Sequence, residues 1–184
     1  IQNAQRGELL PAPKSKAEAM ELAKTLASSQ LIPKAFQQRP GDVFVAMMWS
    51  HSLGIPIVQG LQGIAVINGK PSLYGDALLA VCMGSGQMAD IEETVTGNAD
   101  NLTATCKVTR RGKPTPVVST FSMADARAAG LLGKPGPWKQ YTSRMLKMRA
   151  RAFALRDAFP DVLSGIASAE EMQDVEGTAT EKAT

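Results

Sequence analysis

Histidine is nearly absent from this sequence, with His51 alone, and the two cysteines, Cys82 and Cys106, stand far apart. That spacing excludes a zinc site, which needs Cys and His in close pairs, and it predicts two free buried thiols. No run of 18 apolar residues occurs, so no segment reads as a membrane-spanning helix. The nucleotide and catalytic motifs are missing too. Gly130-Leu131-Leu132-Gly133-Lys134-Pro135 has neither the four-residue gap between glycines nor the Ser/Thr after Lys that a phosphate loop requires. No G-x-S-x-G, H-E-x-x-H or EF-hand loop is present, so ATP-driven work and the common hydrolytic centres drop out.

What remains is an ordinary globular composition, 44% hydrophobic and 20% charged over 184 residues, enough for one core domain. The charge is unevenly placed. Glu170, Glu171, Asp174, Glu176 and Glu181 against Lys182 leave the last fifteen residues at −4, so the rest of a +3 chain carries +7. A basic body suits a polyanion, and the acidic segment 167–184 reads as a solvated or competing tail of little order. Residues 1–14, polar and proline-punctuated, read as an irregular arm, leaving 15–166 as the core.

Along the core, Ser15-Lys16-Ala17-Glu18 is a capping box opening an amphipathic helix to about Ser28. Asp42 is placed to cap a second helix, Val43 to Leu53, apolar almost all round and so expected to be buried. Ile64–Ile67, Asn68-Gly69 and Lys70–Tyr74 form a hairpin signal, with Pro71 suited to an edge. Asp76 is placed to cap a short buried helix. Segments 91–96, 102–110 and 115–121 alternate apolar and polar residues between turns, a three-stranded antiparallel meander. Ser122 to Asp125 caps another short helix.

The most distinctive stretch runs from Gly136 to Pro160. It has a Pro-Trp start, strong helix formers and a Pro stop, and it holds Lys139, Arg144, Lys147, Arg149, Arg151 and Arg156 against Asp157 alone. At 100° per residue, Arg144, Lys147 and Arg151 fall on one outward arc. Tyr141, Met145, Met148, Ala152 and Leu155 make an apolar stripe, with Leu146 and Phe153 a narrower second one. Arg149 and Arg156 share an azimuth between the stripes. Two readings stand for them: pairing with carboxylates from elsewhere in the fold, or lining the floor of a phosphate-binding groove. Arg110, Arg111 and Lys113 at a meander turn, with Lys134, offer a second basic wall, and Trp138 and Tyr141 are candidate stacking platforms. Trp138 also suits packing the helix onto the sheet. Asp90, Glu92 and Glu93 form the one acidic cluster suggestive of a Mg²⁺-dependent nuclease, although Glu92 and Glu93 alternate to opposite strand faces.

The order of these pieces resembles the RecT/Redβ group of phage single-strand annealing proteins, from about Leu31 to Gly165. The landmarks are Ser52-Leu53-Gly54-Ile55-Pro56, Gly84-Ser85-Gly86 before Ile91-Glu92-Glu93-Thr94-Val95, and Phe121-Ser122-Met123-Ala124-Asp125. Last come Pro137-Trp138, Met145, Arg149, Arg151 and Phe159-Pro160. The resemblance implies an α+β fold: N-terminal helices and a hairpin, the meander, and a long C-terminal basic helix lining a groove. It implies a non-catalytic protein that binds single-stranded DNA and the annealed duplex without ATP or a cofactor, Mg²⁺ serving at most as a DNA counterion. Homo-oligomeric rings or filaments, an exonuclease or host single-strand-binding protein as partner, and a host-cytoplasmic, phage-encoded setting are implied with it. Carried over by position, Lys139, Arg144, Lys147, Arg149, Arg151 and Arg156 face phosphates, with Lys107, Arg110, Arg111 and Lys113 opposite. Three departures stand out: a less basic Lys70 to Asp76 stretch with Asp76 near a position often basic in relatives, short meander turns, and the acidic tail in place of a further module. The competing readings are the nuclease and a structural phage protein whose basic helix binds another protein.

Overall fold

Residues 13–67, 69–133 and 135–179 are described by the computed structural model. The irregular arm read over 1–14 thus lies almost wholly outside them. The described residues form an α+β fold of nine helices and two three-stranded sheets. The chain divides into two compact units, Ile1–Gln62 and Gly63–Thr184.

In the first unit, helix α1 (Lys16–Ser28) starts where the capping box places it, the Glu18 amide donating to Ser15 Oγ at 3.1 Å. Helix α2 (Pro40–Ser52) starts earlier than expected. Pro40 occupies the first turn, where its fixed φ suits a helix start, and Asp42 caps nothing but pairs loosely with Arg39 at 3.7 Å. Nor is α2 buried all round. Val43, Ala46 and Met47 are buried, but Val45 and Met48 are 51% and 59% exposed. A further helix, α3 (Ile57–Gly63), follows, on a stretch to which the sequence reading assigned no element. It crosses α2 so closely that a Cβ on Gly60 would lie 1.8 Å from Ser50 Oγ. No single described helix is long and apolar enough to cross a membrane.

The second unit opens with the expected hairpin, β1 (Ile64–Ile67) and β2 (Lys70–Leu73), paired Ile67 to Lys70 across a two-residue turn with Gly69 at φ 71°. Strand β2 is central, because a short parallel strand, β6 (Ala167–Ser168), pairs with Ser72 and Leu73. Pro71 lies beyond that pairing, so its missing N–H interrupts nothing. Helix α4 (Gly75–Gly84) lacks the Asp76 cap read from sequence; the Gly75 amide donates instead to Glu170 Oε1 at 3.0 Å.

The meander is present as β3 (Met88–Thr96), β4 (Thr103–Arg110) and β5 (Val117–Ser122), with a 3₁₀ turn at Ala99–Asn101. Helix α5 (Met123–Ala128) follows, with a complete Ser122/Asp125 capping box. The 136–160 stretch is not one helix. It forms α6 (Pro137–Gln140), a break at Tyr141 (φ −135°, ψ 48°), then α7 (Thr142–Ala158). Helix α7 packs across β4 and β5. Its fully buried Leu146, Ala150 and Ala154 recur every four residues, and the alanines permit close approach to the sheet. Ala104, Cys106, Val108 and Phe121 supply the sheet's buried face. Burial pushes both thiols, Cys82 on α4 and Cys106 on β4, up to about 12.

After α7 come α8 (Pro160–Leu163), β6 and α9 (Ala169–Ala179). The segment 167–179, read as part of a tail of little order, is therefore strand and helix. The reason lies in its carboxylates, which find cationic and amide partners in the body of the unit.

Candidate nucleic-acid interface

Strand alternation explains the most buried cation. Opposite Val108, Cys106 and Ala104 on β4 stand Ile91, Glu93 and Val95 on β3, so Glu93 occupies an inward-facing position between two apolar residues. A carboxylate there requires a cation, and Arg151 supplies it. The Arg151 guanidinium, 6% exposed, donates from Nε and one terminal nitrogen to both Glu93 oxygens at 2.7 Å and from the other nitrogen to Asp76 at 2.9 Å. Arg151 thus departs from the outward arc expected for it. Burial alone would raise the Glu93 carboxyl, but hydrogen bonds and charge from Arg151, with Lys147, outweigh it and hold it below its ordinary value. The Glu93 hydrogen bonds in turn push Arg151 further up.

A second network ties α7 to α9. Arg149 pairs with Asp174 and lies 3.8 Å from Glu171; Arg156 donates to Glu171 at 2.9 Å and 3.1 Å. Ser168 caps α9 and shares Glu171. The Trp138 indole N–H donates to Asp174 at 3.1 Å, and the ring is buried near Phe121, centroids 6.3 Å apart. Arg149 sits 5.9 Å from that Phe121 ring. Of the two readings open for Arg149 and Arg156, carboxylate pairing is what the geometry displays. Trp138 takes the packing role and presents no open stacking face.

A third pair closes the other end. Arg110 holds Asp161 through two 2.6 Å hydrogen bonds, donates to the Ala158 carbonyl, and lies over Phe159. Those bonds to Arg110 pull the Asp161 carboxyl down to about 2 and push the guanidinium up. Since Arg110 meets the C-terminal end of α7, Arg111 and Lys113 lie at that end as well. The second wall read from sequence is therefore not opposite Arg144 and Lys147 but displaced from them along most of α7, by about 17–21 Å of helix rise.

Cations that reach solvent stand toward both ends of α7. Lys139 is exposed and has no ion pair among the described residues, and the same holds for Arg111 and Lys113 at the far end. Arg144, whose side chain is 60% exposed, lies 3.3 Å from Asp76, and Lys147 lies 3.6 Å from Glu93. Lys107 shares a 3.3 Å contact with Glu92 on the open face of the sheet. Lys134 is outside the described residues. Tyr141, placed by sequence on an apolar stripe, is 64% exposed, because the break between α6 and α7 takes it out of helical register. It borders an open cavity of about 510 Å³ shared with Val95, Thr142, Arg144 and Lys147.

The acidic cluster offers no metal centre. Glu92 faces Lys107, Glu93 faces Arg151, and no described group of three or more His, Cys, Asp or Glu residues is arranged to hold an ion. Sequence reasoning missed the anchoring roles of Asp76, Glu171 and Asp174. Glu93 had a legible signal, a carboxylate in the apolar phase of its strand; the others come from distant segments and had none.

A model of the RecT family matches residues 12–183. The chain belongs to the RecT family. No curated protein sequence matches it significantly. RecT-family membership makes this a DNA-binding protein of phage recombination, of the single-strand annealing kind.

Proposed function

We propose that this RecT-family chain anneals complementary DNA strands without hydrolysing a nucleotide, gripping single strands at the N-terminal end of α7. The observation that carries this reading is the division of labour along one basic helix. Arg149 and Arg151 are committed to internal carboxylates, whereas Lys139, Arg144 and Lys147 remain available to phosphates beside an exposed aromatic ring. Arg156, 45% exposed, is a secondary contact, and Lys107, Arg111 and Lys113 offer further cations toward the far end of the sheet, where Arg110 is held by Asp161. The protein acts in the host cytoplasm as a homo-oligomer, without a resident cofactor. It hands over to, or receives strands from, an exonuclease or single-strand-binding protein.

The decisive measurement is the rate of pairing of two complementary labelled oligonucleotides at low salt, with and without ATP. We expect acceleration over the spontaneous rate, unchanged by ATP. Acceleration should be lost in the triple variant Lys139→Gln/Arg144→Gln/Lys147→Gln while its melting temperature stays near that of the parent. Pairing no faster than the spontaneous rate would sink the proposal.

A further inference from the structure

We propose that the cavity beside Tyr141 seats one unpaired nucleobase of the bound strand, with Arg144 and Lys147 taking its flanking phosphates. This rests on the strand-binding reading above and names a subsite within it. The argument begins with what an α-helical continuation would have done. Had α6 run into α7 without a break, Tyr141 would have continued the apolar stripe of the helix. Instead its backbone leaves helical space, and a large aromatic side chain stands 64% exposed at the edge of an open cavity. Exposing so much aromatic surface forfeits the free energy of burying it, and its hydroxyl makes no hydrogen bond to any described residue. Val95, 37% exposed near the end of β3, contributes an apolar lining to the same cavity.

The polar lining fits the same ligand. Gln140 and Ser143 line the cavity, and neither side chain is engaged with another described residue. A free carboxamide presents a donor or an acceptor by turning over, so Gln140 can meet the edge of any base; this suits a protein that must hold strands of any sequence. Arg144 and Lys147 meet their carboxylates at 3.3 Å and 3.6 Å, the long end of ion pairing, so both keep donors for a phosphate. A simple anion would use the two cations and leave the tyrosine and valine unexplained. An apolar ligand would leave the cations unexplained. A nucleotide uses both, and about 510 Å³ accommodates one, within the range of ordinary ligand sites. A base seated here is withheld from an incoming strand, so pairing starts at its neighbours.

Two strands of equal length separate this subsite from general phosphate binding: oligothymidylate, and an abasic deoxyribose-phosphate strand. Binding is read by fluorescence anisotropy, with circular dichroism confirming the fold of each variant. The wild type should prefer oligothymidylate. Val95→Trp, which fills the cavity while leaving every cation, and Tyr141→Ala should each weaken oligothymidylate binding about tenfold. Neither should move the affinity for the abasic strand, and Tyr141→Phe, which keeps the ring, should lose far less than Tyr141→Ala. Equal losses on both strands, or full oligothymidylate affinity in Val95→Trp and Tyr141→Ala, would overturn the base subsite while leaving phosphate binding intact. A wild type that binds neither strand would overturn both readings together. Should Val95→Trp fail to fold, the contrast between Tyr141→Ala and Tyr141→Phe on the two strands decides alone.

Discussion

A guanidinium that is 6% exposed has given up nearly all its water, and Arg151 recovers the loss through two carboxylates brought from β3 and α4. Removing Glu93 takes away two of its hydrogen bonds and leaves the buried charge with Asp76 alone. We expect Glu93→Gln to cost about 3–5 kcal/mol in urea unfolding, whereas replacing both partners together, Glu93→Leu with Arg151→Met, should cost much less. If the double change costs as much as the single one, the pair is not the source of the loss. Helical arithmetic puts Arg151 on one arc with Arg144 and Lys147, and that much is legible in the sequence. What cannot be read is that Asp76 and Glu93, remote in sequence, meet all three cations and that only Arg151 is buried between them. Asp161 gives a pH signature. Its carboxyl is held at about 2 in the folded chain against an ordinary 3.8, so it favours folding above the ordinary value. That contribution disappears as pH falls from 3.8 toward 2. Melting temperature should fall through that window, and Asp161→Asn should flatten the decline.

Helix α9 shows how an acidic segment can be structural. Its first turns carry Glu170 to the α4 amide, Glu171 to Arg156, and Asp174 to Arg149 and the Trp138 indole. A chain ending after Ile166 leaves the half-buried Arg149 without those carboxylates. We expect it to be less stable by at least about 3 kcal/mol by urea denaturation, with near-ultraviolet circular dichroism of the Trp138 environment lost. An unchanged urea midpoint would mean that α9 is dispensable to the fold. The meander, the hairpin and the first capping box were legible because period-two alternation, Asn-Gly and Ser-x-x-Glu are local signals. The cap of α4, the break at Tyr141 and the order beyond 166 were not. Each depends on partners distant in sequence, or on a single backbone rotation that composition does not encode.

At the scale of the whole molecule, the basic surface is the quantity that salt reports. If Lys139, Arg144 and Lys147 each neutralise one phosphate, replacing all three with Gln should reduce the slope of log affinity against log salt by about 2. An unaltered slope would relocate the strand to other cations, the Arg111 and Lys113 end being the first alternative. The two compact units also carry their own reporters. Trp49 lies in the first unit, and Trp138 in the second, together with Cys82 and Cys106. Both thiols are fully buried and held protonated up to about pH 12. An alkylating reagent that attacks thiolates should therefore mark neither cysteine until the second unit opens. The pair is a native stopwatch for that opening, and Trp49 fluorescence, in a Trp138→Phe background, times the first unit separately. Coincident clocks would mean that the halves melt as one, and staggered clocks that each lives by its own stability.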